Sequence, residues 1–130
     1  MSANGTSASI LVVDDEDMIR SLLRLILVRE GYEVMEAENG EDALSMVREE
    51  KPDLVLLDVM MPGMDGFTVC ERLRQSPDTA DLPIIMLSAR TDSHYGRESR
   101  RVGATKYLTK PVVADMLLRH VQEVLETSDR

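Results

Sequence analysis

A doubly wound α/β fold, one five-stranded parallel sheet with helices on both faces, is predicted on three grounds. Five short, largely apolar runs alternate with five segments of helical character, the pattern of βα units. The runs ILVV (10–13), LVLL (54–57) and IIML (84–87) are continuously apolar, as suits strands covered on both faces; a half-exposed strand would alternate. Turn-forming residues such as Gly31, Pro52, Pro62, Gly63, Pro77 and Gly103 punctuate the elements.

Residues 1–8 (MSANGTSA) are small and polar, without apolar periodicity, and are expected to form a disordered lead-in. The first strand starts near Ser9 and ends in Asp14, Asp15 and Glu16. Over 17–30, Met18, Ile19, Leu22, Leu23, Ile26 and Leu27 recur at helical spacing, with Arg20, Arg24 and Arg29 largely off that stripe. Gly31 supplies the stop. Residues 32–37 (YEVMEA) alternate in part and predict a strand less deeply buried than the first. Asn39 is placed to cap a helix over 40–50, with Ala43, Leu44 and Val47 on its inner side.

The run at 54–57 delivers Asp58 to its end. After the turn at 62–66, expected only to start the next helix, Asp65 is the N-cap of a segment carrying Phe67, Val69, Cys70 and Leu73 that stops before Ser76. A strand over 83–87 leads to Ser88 and Ala89. The helix expected over 91–102 is the weakest: Ser93, His94, Tyr95 and Gly96 make a poor start and its apolar stripe is thin, which predicts a mobile element. A short strand over 106–109 precedes Lys110 and Pro111, and a last helix over 113–126 buries Leu117, Leu118, Val121, Val124 and Leu125. Residues 127–130 are expected to fray, leaving one domain at 9–126.

With 43% hydrophobic and 30% charged residues, the composition is that of a soluble globular domain. No apolar run approaches the roughly 20 residues of a membrane span, and no charged start followed by an apolar stretch points to secretion. A net charge of −9 disfavours direct nucleic-acid contact by this domain, without excluding DNA binding by a domain fused to it. The single cysteine, Cys70, has no internal disulfide partner; it suits a reducing cytoplasm and is expected to behave as a small helix-face hydrophobe. His94, Tyr95 and His120 have no companions at metal spacing and are expected as exposed helix residues, and the nine methionines as packing.

The strand endings carry the chemistry. If the strands are parallel, Asp14 and Asp15, Asp58, Ser88 and Lys110 gather at one edge of the sheet, where open parallel sheets bind ligands. Carboxylates crowded together repel and raise one another's pKa; a hard cation relieves this, and carboxylates, a carbonyl and waters suit magnesium. Lys110 adds a positive charge and Ser88 a hydroxyl to hold phosphoryl oxygens, leaving Asp58 as nucleophile. The group therefore reads as a magnesium-dependent phosphoryl acceptor. Taken singly, the acidic run at 14–17 reads rather as a helix-start cluster favoured by the dipole, and Lys110 as a surface lysine; the five groups together favour the site.

Four motifs in order, VVDDE (12–16), LLDVMMPGMDG (56–66), LSA (87–89) and YLTKP (107–111), resemble the receiver domain of two-component response regulators, of chemotaxis-regulator type, over about 9–126. The resemblance implies a flavodoxin-like fold with strand order 2-1-3-4-5 and a regulator that catalyses only its own phosphorylation and autodephosphorylation. It implies that Asp58 is the phosphorylated aspartate, that Mg2+ is held by Asp15, Asp58 and the backbone carbonyl of Met60, and that Asp14 acts through a coordinated water. Ser88 is then the hydroxyl that binds the phosphoryl group, Lys110 its ion-pair partner, Tyr107 the aromatic that swings inward with Ser88, and Pro111 the residue after a cis peptide. The implied partners are a sensor histidine kinase or phosphotransfer protein as donor, and an output protein, a fused effector domain or a phosphorylation-dependent homodimer. The face of the fourth helix, fifth strand and fifth helix would repack to carry the signal.

This chain departs from the family pattern at Lys106, often an acidic or small residue, and in its arginine-rich fourth helix. Arg97, Arg100, Arg101 and Lys106 are thus either an output face for an acidic partner or a solvated surface. Met60 and Arg90 occupy positions that tune rates in this family. Two other classes compete: a receiver-shaped interaction module that is never phosphorylated, and a magnesium-dependent aspartyl phosphatase. The latter usually carries a second acid two residues after its nucleophile, where this chain has Met60.

Overall fold

The computed structural model describes residues 7–128. Among them β1 (Ser9–Val13), β2 (Glu33–Ala37), β3 (Leu54–Asp58), β4 (Ile84–Ser88) and β5 (Lys106–Thr109) alternate with α1 (Asp17–Arg29), α2 (Gly40–Glu50), α3 (Gly66–Gln75), α4 (Ser93–Arg101) and α5 (Ala114–Ser128). The strands form one parallel sheet in the order β2-β1-β3-β4-β5. Chain order reverses between β1 and β3, and this opens a crevice at their carboxyl ends. Register brings those ends level: Val13 lies beside Leu57, Asp58 beside Leu87, and Ser88 beside Thr109.

The continuous apolar runs divide between two cores. Leu11, Val13, Val55, Leu57, Ile84 and Met86 face Ala43 and Val47 of α2 and Val69, Cys70 and Leu73 of α3. The intervening residues Ile10, Val12, Leu54, Leu56, Ile85 and Leu87 face Leu23 and Leu27 of α1 and Leu117, Val121 and Val124 of α5. β2, at the sheet edge, is only partly buried, as its partial alternation implies. The Asn39 and Asp65 side chains cap α2 and α3 by accepting from the amides of Asp42 and Thr68, and Gly31 ends α1 with φ +97°.

The structure corrects the expected face of α1. Leu23 and Leu27 are buried, but Met18 is 84% exposed, Leu22, Leu25 and Val28 are also exposed, and Arg20 is buried. The helix is apolar over a wider arc than the sheet can cover; Met18, Leu22 and Leu25 fall on the far side, and Arg20 at the edge of the near one. α4 is shorter than expected, with Asp92 at its N-cap making no side-chain capping bond and Ser99 its one buried residue. α5 continues through Ser128, past the point where fraying was expected. Most of the lead-in (1–6) and the tail end (129–130) lie outside the described residues.

Candidate functional site

Asp58 ends β3 with 5% of its surface exposed, in a position enforced by the turn that follows. The Gly66 amide donates to the Val59 carbonyl at 2.9 Å, which seats the start of α3 directly on the end of β3. A Cβ at Gly66 would run into the carbonyl oxygen of Asp58 and lie 2.9 Å from Val59 Cα, so only glycine allows this approach. The turn therefore shapes the site, beyond merely starting a helix.

Asp14, buried at the end of β1, is held from two sides. Its Oδ1 accepts from the Glu16 amide at 2.9 Å, and its Oδ2 from Lys110 Nζ at 2.9 Å. The same ammonium donates to Asp58 Oδ1 at 3.1 Å. Asp15 is exposed beside them, and one carboxylate oxygen from each of Asp14, Asp15 and Asp58 lies within 4.8 Å of the other two. With one ammonium against three carboxylates, negative charge remains uncompensated, and the all-oxygen donor set matches a hard divalent cation such as Mg2+.

The electrostatics reflect that crowding. Burial and then the charge of Asp14 push Asp58 up to about 6, against the opposing pull of Lys110 and the Met60 amide. Lys110 is held above its ordinary value: burial works against its charge, but its bond to Asp14 and the charges of Asp58 and Asp14 outweigh burial. Met60 contributes backbone here, and its side chain is exposed.

Ser88 ends β4 fully buried. Its carbonyl accepts from the Lys110 amide at 2.7 Å, tying the end of β5 to β4, and its Oγ accepts from the Arg90 amide at 3.1 Å. The Lys110–Pro111 peptide is cis. Tyr107 packs against the core on the α2 and α3 side, and its hydroxyl donates to the Arg90 carbonyl at 2.6 Å.

Two arginines complete the site's surroundings: Arg20, which sequence reasoning left out, and Arg90, which it named only as a rate-tuning position. Arg20 donates to the Asp14 carbonyl at 2.6 Å, to Glu36 Oε1 at 3.2 Å and to Asp17 Oδ1. Arg90 joins Ser88 to Tyr107 through its backbone, while its guanidinium pairs with Asp92 at 3.0 Å and lies 4.9 Å from the Tyr95 ring centroid. The available signal for Arg20 was Asp17 three residues before it on the same helix.

The four basic residues singled out beyond the site do not converge. Arg97 donates to Ser93 Oγ within α4; Arg101 pairs with Glu98 at 2.6 Å and reaches Glu71 of α3 at 3.5 Å; Arg100 is exposed. Lys106 turns toward α5, where its Nζ lies 2.9 Å from Glu123 and 3.0 Å from His120 Nδ1. His120 is accordingly part-buried and bonded, unlike the exposed residue expected. Cys70 is buried, as expected, and its thiol donates to the Val102 carbonyl at 3.3 Å. Among the described residues no helix is long and apolar enough to cross a membrane.

Comparison with known proteins agrees with this geometry. The chain is 44% identical over 122 residues to the transcriptional regulatory protein AfsQ1 of Streptomyces coelicolor, covering 94% of this chain and 53% of that protein. It is 40% identical over 121 residues to protein PilH of Pseudomonas aeruginosa, covering 91% of this chain and 98% of that protein. Against the response regulator PleD of Caulobacter vibrioides, 46% identical over 121 residues and 91% of this chain, it spans 26% of the relative's length. The chain thus spans about half the length of AfsQ1 and about a quarter of PleD. Among solved structures, the chemotaxis protein CheY4 of Vibrio cholerae superposes with a TM-score of 0.88 at 35% identity, covering 92% of this chain and 99% of that one. A CheY-like receiver domain protein from Methanospirillum hungatei gives 0.89 at 29% identity, covering 95% and 98%. A family model described as the response regulator receiver domain matches residues 10–122, and the chain belongs to that family of two-component signalling domains.

Proposed function

We propose that this receiver domain is a phosphorylation switch in which Asp58 takes a phosphoryl group from the phosphohistidine of a sensor kinase or phosphotransfer protein. An Asp58 carboxylate oxygen forms a bond to phosphorus as the donor's P–N bond breaks, its electron pair staying with the imidazole; water later attacks phosphorus and regenerates the carboxylate. The observation that carries this is the single ammonium of Lys110 bridging Asp14 and Asp58 beside a third carboxylate. Asp15, Asp58 and the Met60 carbonyl would hold Mg2+ directly and Asp14 through water; the ion supplies charge neutralisation for the phosphoryl oxygens. Lys110 pairs with the incoming group and Ser88 donates its O–H to it, drawing on the Oγ that also accepts from the Arg90 amide.

Phosphorylation moves the Lys110 contact from the Asp58 carboxylate to the phosphoryl group while Asp14 still holds the ammonium, and movement of Ser88 is felt at Arg90, whose carbonyl holds Tyr107. That chain leads to α4, β5 and α5, the surface that we assign to an output protein, a fused effector domain or a second copy of the chain. Arg97, Arg100, Arg101 and Lys106 belong to this output region, two of them already engaged by Glu98, Glu71 and Glu123. We assign donor docking to the exposed Met18 and Leu22 of α1 and Val113 and Met116 at the start of α5, which follow the site residues Asp15 and Lys110 in the chain. A cytoplasmic location fits the free thiol of Cys70 and this partner set.

A phosphatase of the haloacid-dehalogenase type is disfavoured because its second acid would stand at Met60, an exposed thioether. A phosphorylation-independent module would not require five chemically matched groups at one edge. Thermal unfolding with Mg2+ tests the metal component: a concentration ten times the dissociation constant should add about 1.4 kcal/mol of stability, raising Tm by about 4 °C. An unchanged Tm at millimolar Mg2+ would count against it.

A further inference from the structure

Resting on the phosphoacceptor reading above, we propose that Arg20 is a positioning residue for the metal, holding the Asp14–Asp15 peptide so that the Asp15 carboxylate faces the site. Among the described residues three charged side chains are buried: Asp14, Asp58 and Arg20. The first two form the site. A buried guanidinium is costly unless its fork is occupied, and Arg20 occupies it on three elements, at the Asp14 carbonyl, Glu36 of β2 and Asp17 of α1.

The Asp14 carbonyl is half of the planar peptide unit whose other half is the Asp15 amide, so a bond to that oxygen orients the plane from which Asp15 departs. The Asp14 side chain is fixed by Lys110 and Glu16, and its amide donates to the Ala37 carbonyl at 3.2 Å. Asp15 has none of these supports: it is exposed, and among the described residues its side chain makes no hydrogen bond or ion pair. Its direction depends on the backbone, and Arg20 is the side chain that bonds the carbonyl before it. Glu36 also pairs with Arg24 at 3.0 Å, so the far end of the brace is itself held. An ammonium at position 20 keeps the charge but cannot replace the fork.

The test measures Mg2+ affinity by calorimetry in the metal-free wild-type protein and in Arg20→Lys and Arg20→Met, with amide exchange at Glu16 recorded before metal is added. The dissociation constant should rise about tenfold in Arg20→Met and about threefold in Arg20→Lys. Exchange at Glu16, whose amide is bonded to Asp14 Oδ1, should accelerate while β3 stays protected. The rate of phosphoryl uptake from acetyl phosphate at saturating Mg2+ should stay within about twofold of wild type, since the brace acts on metal affinity and not on the bond-forming step. Should Arg20→Met fail to fold, Glu36→Gln and Asp17→Asn loosen the same fork from its more exposed ends, with a rise of about threefold expected. Unchanged affinity in the folded variants, or a loss confined to the rate at saturating metal, overturns the proposal. Wild-type protein that takes up no Mg2+ overturns the phosphoacceptor reading and this inference with it, a failure recognised by its presence in the unmutated chain.

Discussion

Lys110 Nζ stands 3.1 Å from Asp58 Oδ1, an ion pair that joins the edge strand β5 to the central strand β3 across the intervening β4. The backbone makes this reach possible, because the Lys110 amide is itself bonded to the Ser88 carbonyl that ends β4. The site's charge is therefore in direct contact with the residue that follows β5, the strand that also carries Tyr107.

Lys110→Met leaves Asp14 and Asp58 facing each other without a counter-charge. Asp58 should then titrate above its present value of about 6, since the opposing pull of Lys110 is gone. Stability at pH 7 should fall by about 1–3 kcal/mol, the cost of leaving a partly buried charge unpaired. Carboxyl NMR titration and denaturant unfolding check the two effects.

Acidity should stabilise the metal-free protein over a defined window. The folded-state pKa of Asp58, about 6, lies above its ordinary 3.8, so the native state binds more protons than the unfolded chain between those values. The contribution of Asp58 to stability is then fully present below about pH 4 and is lost as pH rises through about 6. Asp58→Asn removes this component of the pH dependence, so its stability relative to wild type should rise by about 3 kcal/mol between pH 4 and pH 8, roughly two pH units at about 1.4 kcal/mol each. Urea midpoints measured from pH 4 to 8 in chelator check it.

Gly66→Ala tests the contact between α3 and the end of β3. The added methyl meets backbone, which cannot rotate away, and destabilisation of about 1–3 kcal/mol is expected. Because the atom struck is the Asp58 carbonyl oxygen, phosphoryl uptake should fall more than in a variant of equal stability loss elsewhere, such as Val124→Ala in the opposite core.

The strands were legible because both faces of the sheet are covered, so each strand had to be apolar without interruption and its end was marked by the first polar residue. For Asp58 and Ser88 that boundary located the site residue itself. α1 was misread because its apolar residues extend beyond the face the sheet buries, and periodicity alone could not show that Arg20 is inside and Met18 outside. The structural parts of Arg20 and Arg90 are hidden for another reason: Arg20 bonds the backbone carbonyl of Asp14 and Arg90 contributes its own amide and carbonyl, whereas a sequence motif names side chains. Gly66 was seen as a turn residue, but its value lies in a backbone approach that only the packed structure reveals.

The most direct measurement is the intact mass of the protein after incubation with acetyl phosphate, with and without Mg2+, for wild type and Asp58→Asn. Wild type should gain one phosphoryl group only when Mg2+ is present and lose it again on standing, and Asp58→Asn should gain none. A wild-type mass unchanged by Mg2+ and donor, or equal uptake by Asp58→Asn, would contradict the assignment of Asp58 as the phosphoacceptor.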